Sequence, residues 1–95
     1  MKYTVKKFSA EWCGPCRVLH KVFDEVSKME KYQDIARFEE VDIEDEANDE
    51  ETAKYMIRSI PAIVIVNNET NEVTNKIIGG IGKDELISLL DKTFE

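Results

Sequence analysis

The stretch AEWCGPCRV, residues 10–18, holds the only two cysteines of the chain, Cys13 and Cys16, with Gly14 and Pro15 between them. Two cysteines this close have three uses: a structural staple, half of a metal site, or a redox pair that opens and closes. A bridge over so small a loop restricts the unfolded chain little, so stapling is a poor use of it. Zinc ordinarily takes four ligands, and the chain offers two cysteines and one histidine, His20, so a metal site would need a second subunit. A redox pair needs only a strand running in and a helix running out, and the flanking sequence supplies both.

Upstream, YTVKKF, residues 3–8, reads as a strand with Val5 and Phe8 as its apolar members. Downstream, Val18, Leu19, Val22, Phe23, Val26 and Met29 recur at helical spacing. Pro15 falls in the first turn of that helix, where a missing N–H costs nothing. Cys13 would then meet unpaired N–H groups and the positive end of the helix dipole, which favour a thiolate. Cys16, one turn in, would lie close enough to attack a disulfide formed by Cys13. Gly14 leaves room for a partner chain and Pro15 stiffens the turn.

The rest of the chain alternates in the same way. RFEEVDI, residues 37–43, reads as a second strand. NDEETAKYMI, residues 48–57, reads as a short helix with Asn48 and Glu51 as a capping box, ended by Pro61. AIVIV, residues 62–66, is the most apolar run and is expected to be a central buried strand. Residues 72–78 follow as a strand broken by Gly79 and Gly80, and residues 83–94 as a helix burying Leu86, Ile87, Leu89, Leu90 and Phe94. The order β-α-β-α-β-β-α predicts an α/β fold: a right-handed parallel βαβ unit, then a hairpin and a helix, in a four-stranded mixed sheet flanked by helices.

Composition sets the frame. The 95 residues make one small domain, residues 1–95, and 42% hydrophobic with 35% charged residues is an ordinary globular mixture. A net charge of −7 argues against nucleic acid and anionic membranes as partners. The acids crowd into residues 38–51, read as a solvated connection or as a patch that tunes partner choice. No apolar run reaches membrane-spanning length, and the first ten residues lack the apolar core of a secretory signal. So few cysteines fit a reducing, cytoplasmic setting.

Three segments together resemble the thioredoxin family: AEWCGPC at the cysteines, RSIPAIVIV around Pro61, and IIGG ahead of the last helix. CxxC beside a βαβ pattern is an established thioredoxin signature rather than a new observation. The resemblance, which runs from Tyr3 to Phe94, implies a thioredoxin fold with sheet order 2-1-3-4. It implies that Cys13 attacks a substrate disulfide, that Cys16 resolves the mixed disulfide, and that Trp12 shapes the docking surface. It implies a cis Ile60–Pro61 peptide facing the cysteines, with the Ile60 backbone pairing to an extended substrate, and Gly79 leaving room for it. Trp12, Ile60 and Ile81 would form an apolar docking rim. The plain structural alternatives are a core tryptophan, a trans proline opening an edge strand, and an ordinary turn at Gly79.

Function follows as an expectation: a protein-disulfide reductase with no cofactor of its own, acting as a monomer and recharged by thioredoxin reductase using NADPH and flavin. A glutaredoxin-like enzyme reduced by glutathione is the nearest alternative, favoured by the four-strand size and by Gly79–Gly80. The CGPC sequence and the lack of a cationic groove oppose it. A binding module with dispensable cysteines is the third.

The chain departs from the family twice. Thioredoxins carry an extra strand and helix ahead of the strand that leads to the cysteines, so here residues 37–43 are expected at a sheet edge, guarded by Arg37, Glu39, Glu40 and Asp42. Thioredoxins also hold a buried aspartate where this chain has Lys7, and a lysine where it has Glu40. A reversed Lys7–Glu40 ion pair behind Cys16 is expected, with Glu40, or a Lys7 of lowered pKa, handling the proton of the resolving thiol. The alternative is a Lys7 that snorkels to solvent. His20, four residues after Cys16, is on the same helix face and is either a base for Cys16 or a surface histidine.

Overall fold

A computed structural model describes all residues, Met1 to Glu95. The chain runs β1 (Tyr3–Ser9), α1 (Gly14–Ser27), β2 (Ala36–Asp42), α2 (Asp49–Lys54), β3 (Ala62–Asn67), β4 (Glu72–Ile78) and α3 (Lys83–Thr93), with single 3-10 turns at Glu30–Tyr32 and Glu46–Asn48. The four strands form one sheet in the order β2-β1-β3-β4. β1 pairs parallel with β2 and antiparallel with β3, and β4 closes the hairpin on β3. This is the expected mixed sheet, with β2 at an edge.

The strand period of two sorts the side chains. Tyr3, Val5, Ile63 and Ile65 face α1 and α3, where they meet Leu19, Phe23, Val26, Leu86 and Leu90 in the larger core. Phe8, Ala62, Val64 and Val66 face the other way and join Val41. The buried stripe of α1 differs from its sequence reading. Val18 is 69% exposed, Val22 is half-buried, Met29 lies past the helix end, and Cys16 joins Leu19, Phe23 and Val26.

α2 departs further. Asn48 makes no side-chain cap; its amide donates to Asp42 O at 2.9 Å instead. The side chain that does cap here is Asp45, which accepts from Ala47 N at the start of the preceding 3-10 turn. The helix buries none of its own residues. Tyr55, Ile57 and Ile60, which follow it, cover the second face of the sheet. Lys6 on β1 reaches Glu51 and Glu39 and ties the helix down.

Pro61 does not end α2. The stop comes earlier, where Met56 adopts φ +52°. Ile57 N donates to Thr52 O and Met56 N to Ala53 O, a Schellman arrangement. Lys76 on β4 braces it by donating to the carbonyls of Tyr55 and Met56. The left-handed position is one that glycine fills without strain. Met56 is 64% exposed, so its side chain contributes little packing in return. Met56→Gly is expected to raise stability in urea by about 1 kcal/mol; a loss of stability would show that the methionine side chain packs.

Candidate active site

β1 delivers the chain to the site and α1 receives it. Cys13 is the N-cap of α1, with extended backbone (φ −85°, ψ 111°), and its sulfur accepts a hydrogen bond from Cys16 N at 3.2 Å. Gly14 and Pro15 form the first turn, which the proline tolerates because that N–H has no helical partner. Cys13 and Cys16 are joined by a disulfide, their Cα atoms 5.2 Å apart. Both residues are buried.

Trp12 is 63% exposed, not a core aromatic, and its indole N–H donates to Glu44. The Ile60–Pro61 peptide is cis, and Pro61 O accepts from Gly79 N at 2.8 Å. Gly79 has φ +92°, and a Cβ placed there would meet nothing within 4 Å. Its glycine is therefore demanded by the backbone turn rather than by crowding. Ile60 and Ile81 are half-buried and pack on the two cores, Ile60 on the Phe8 side and Ile81 on the Val5 side.

Lys7 is 2% exposed, so it does not snorkel. Parallel pairing sets it opposite Glu40, and its ammonium donates to Glu40 Oε1 at 2.6 Å. It also lies 5.4 Å from the centre of the Phe23 ring. Hydrogen bonding from Lys7 holds the Glu40 carboxyl below its ordinary range, against an opposing effect of burial, with His20 adding to the lowering. His20 Nδ1 is 2.6 Å from the same Glu40 oxygen and 2.9 Å from Lys7 Nζ. A pocket of about 410 Å³ is lined by Cys16 together with all three of these residues.

The sequence reading did not place His20 with the ion pair, nor Glu44 with Trp12. Helical spacing from Cys16 was a signal for His20. Glu44 carried none, because its contact spans a loop. No cluster of three or more His, Cys, Asp and Glu side chains is arranged to hold a metal ion.

The family model described as thioredoxin matches residues 1–92. The chain belongs to the thioredoxin family. It is 40% identical over 89 residues to a thioredoxin of Mycoplasmoides gallisepticum, covering 94% of this chain and 82% of that one. It is 38% identical over 84 residues to a thioredoxin of Rickettsia prowazekii, covering 88% and 71%. The crystal structure of a thioredoxin from Malassezia sympodialis superposes with a TM-score of 0.84 over 99% of this chain and 76% of that one, at 24% identity. Membership in the thioredoxin family, with the Cys13–Cys16 disulfide in place, makes this a thiol–disulfide oxidoreductase that reduces protein disulfides. Its partners are, in general terms, disulfide-bonded proteins and a reductase.

The ion pair yields a test by stability. Glu40→Gln leaves a buried ammonium without its anion, and a loss of about 1–3 kcal/mol at pH 7 is expected, reduced from a fully buried case because Glu40 is half-exposed. Lys7→Met is expected to cost less, and the double variant less than Glu40→Gln alone. The folded pKa of Glu40 is lowered, so its stabilisation is complete above the ordinary glutamate value of about 4.3 and is lost as pH falls through the folded value. Urea unfolding from pH 7 to pH 3 should show wild type and Glu40→Gln converging at the acid end; a constant gap would remove the pair from the account.

Proposed function

We propose that Cys13 is the attacking thiol and Cys16 the resolving thiol, with Trp12, Gly14, Pro15, Ile60, Pro61, Gly79 and Ile81 forming the surface that receives the substrate. The observation that carries this assignment is the position of Cys13 as N-cap of α1, where its sulfur already accepts a backbone N–H. A thiolate there gains from the helix dipole and the unpaired donors. Cys13 attacks one substrate sulfur, forms a mixed disulfide and releases the other substrate sulfur as a thiolate. Cys16 then attacks Cys13, the second substrate sulfur leaves, and two electrons have passed to the substrate.

Lys7 and Glu40 support this step by charge. A carboxyl held low by Lys7 is a weak proton acceptor near neutral pH, so Glu40 acts as the counter-ion of a buried cation rather than as a base. The Lys7 ammonium shares the pocket with Cys16 and favours its thiolate. That stabilises the reduced form, so the potential lies above the value of about −270 mV established for thioredoxin itself.

The chain acts as one domain and as a monomer, in the cytoplasm. The scarcity of cysteines supports that compartment; no helix is long and apolar enough to cross a membrane. A flavin-containing thioredoxin reductase drawing on NADPH returns the electrons.

In an insulin-reduction assay driven by NADPH and a thioredoxin reductase, wild type turns over and Cys13→Ser does not, while Cys16→Ser accumulates a mixed disulfide. Full activity of Cys13→Ser would reverse the assignment, and turnover with glutathione alone would move the electron donor to the glutaredoxin type. Equilibration against a dithiol buffer is expected to place wild type between about −270 and −200 mV, and Lys7→Met more negative than wild type; a Lys7→Met value equal to or above wild type would deny Lys7 its electrostatic part.

A further inference from the structure

Glu40, held low by Lys7, is a weak acceptor for the proton of Cys16, and the same pocket contains a second candidate. His20 follows Cys16 by one helical turn, and both side chains line the pocket beneath α1. His20 Nδ1 has two candidate partners. Lys7 Nζ, 2.9 Å away, can only donate to it; Glu40 Oε1, 2.6 Å away, can only accept from it. The shorter contact is to an anion that Lys7 keeps ionised, which favours Nδ1–H donating to Glu40. With the proton on Nδ1, the free lone pair of the ring is on Nε2.

We propose that His20 is the proton acceptor for Cys16, oriented through Nδ1 by Glu40, which Lys7 in turn holds in place. The inference rests on Cys16 being the resolving thiol. A base held by a carboxylate beside a sulfur nucleophile is a general arrangement for activating that nucleophile. The step balances without an outside reagent. Cys16 Sγ–H gives its proton to His20 Nε2, directly or through one water in the pocket. The resulting thiolate attacks Cys13 Sγ, and the bond from Cys13 to the substrate sulfur breaks. The substrate sulfur leaves with the electron pair and takes a proton from the imidazolium or from solvent, which restores neutral His20.

The charges around His20 are mixed. Lys7 faces it from β1, and Glu40 and Asp42 line its pocket from β2. Arg17 and Lys21 line it from α1, Glu11 from the turn before that helix, and the charge of His20 is felt at Asp24 one turn further on. Three cations and four carboxylates leave no dominant field of one sign. His20 is half-exposed, so its proton exchanges with solvent and its replacement disturbs no core.

The test isolates resolution from attack. The reduced protein is mixed with 2,2′-dithiodipyridine, and release of thiopyridone is followed by absorbance from pH 5 to pH 10. Attack by Cys13 gives a first phase that depends on probe concentration. Closure by Cys16 gives a second that does not, and the sole tryptophan, Trp12, reports it independently. His20→Gln is expected to slow the second phase by at least about tenfold at pH 7 and to leave the first phase alone. The defect should shrink toward zero above pH 9, where an ordinary thiol ionises unaided. Added imidazole should restore part of the rate to His20→Ala. Slowing of equal size at pH 7 and pH 10 would assign His20 a structural part only, and an unchanged second phase would remove it from the reaction. A chain that shows no second phase in wild type would instead overturn the resolving role of Cys16.

Discussion

An ammonium group buried beneath the first helix has to be met by an anion, and the register of β1 against β2 meets it. Lys7 has 2% of its surface exposed, and the parallel pairing puts Glu40 directly across from it. An isolated buried charge costs several kcal/mol even after relaxation, whereas a paired one with its hydrogen bonds made comes close to neutral. No buried side-chain nitrogen or oxygen lacks a partner. α1, packed on the sheet through its apolar core, closes over this pair. Phe23 lies over the ammonium, His20 reaches the anion, and buried Cys16 lines the same pocket.

The positions of Lys7 and Glu40 decide which charge lies inside. The central strand carries the cation and is covered on both faces, while the edge strand carries the acid and leaves it half in water. A buried acid next to a thiol opposes its ionisation, whereas a buried cation favours it. A reversed pair would be equally neutral, so the difference between the two arrangements is felt at Cys16 rather than in stability.

The elements whose apolar period is long and unbroken were legible from the residues. β3 and β4 fall where their runs of Ala62–Val66 and Glu72–Ile78 put them, and the sheet order follows from the crossover and hairpin. The cysteine turn was legible because a proline, a glycine and two cysteines leave few conformations. α2 was not. The Asn48 side chain turns its amide to the Asp42 carbonyl six residues back, and Asp45 caps the preceding 3-10 turn. The helix end at Met56 was also hidden, because a methionine in the left-handed region carries no sequence mark, and the lysine that braces it comes from a distant strand. Val18 was misread for a related reason: at the first turn of α1 the sheet is met by Cys16, and the helical stripe starts there.

In the cluster behind the cysteines, two levels of structure coincide. Lys7 and Glu40 are neighbours by strand register, Cys16 and His20 by helical turn, and neither relation depends on the other. Only the packing of α1 on β1 and β2 joins them, so a sequence reading can find each pair and still miss the four-residue set. The same packing explains why the site tolerates solvent on one side. Glu40 and His20 reach the pocket from its wet rim, and Cys16 and Lys7 form its dry floor. A proton arriving on the rim can leave, while Lys7 on the floor is shielded from solvent. A resolving thiol is served by both: a nearby cation that favours its thiolate, and an exchangeable group that takes its proton.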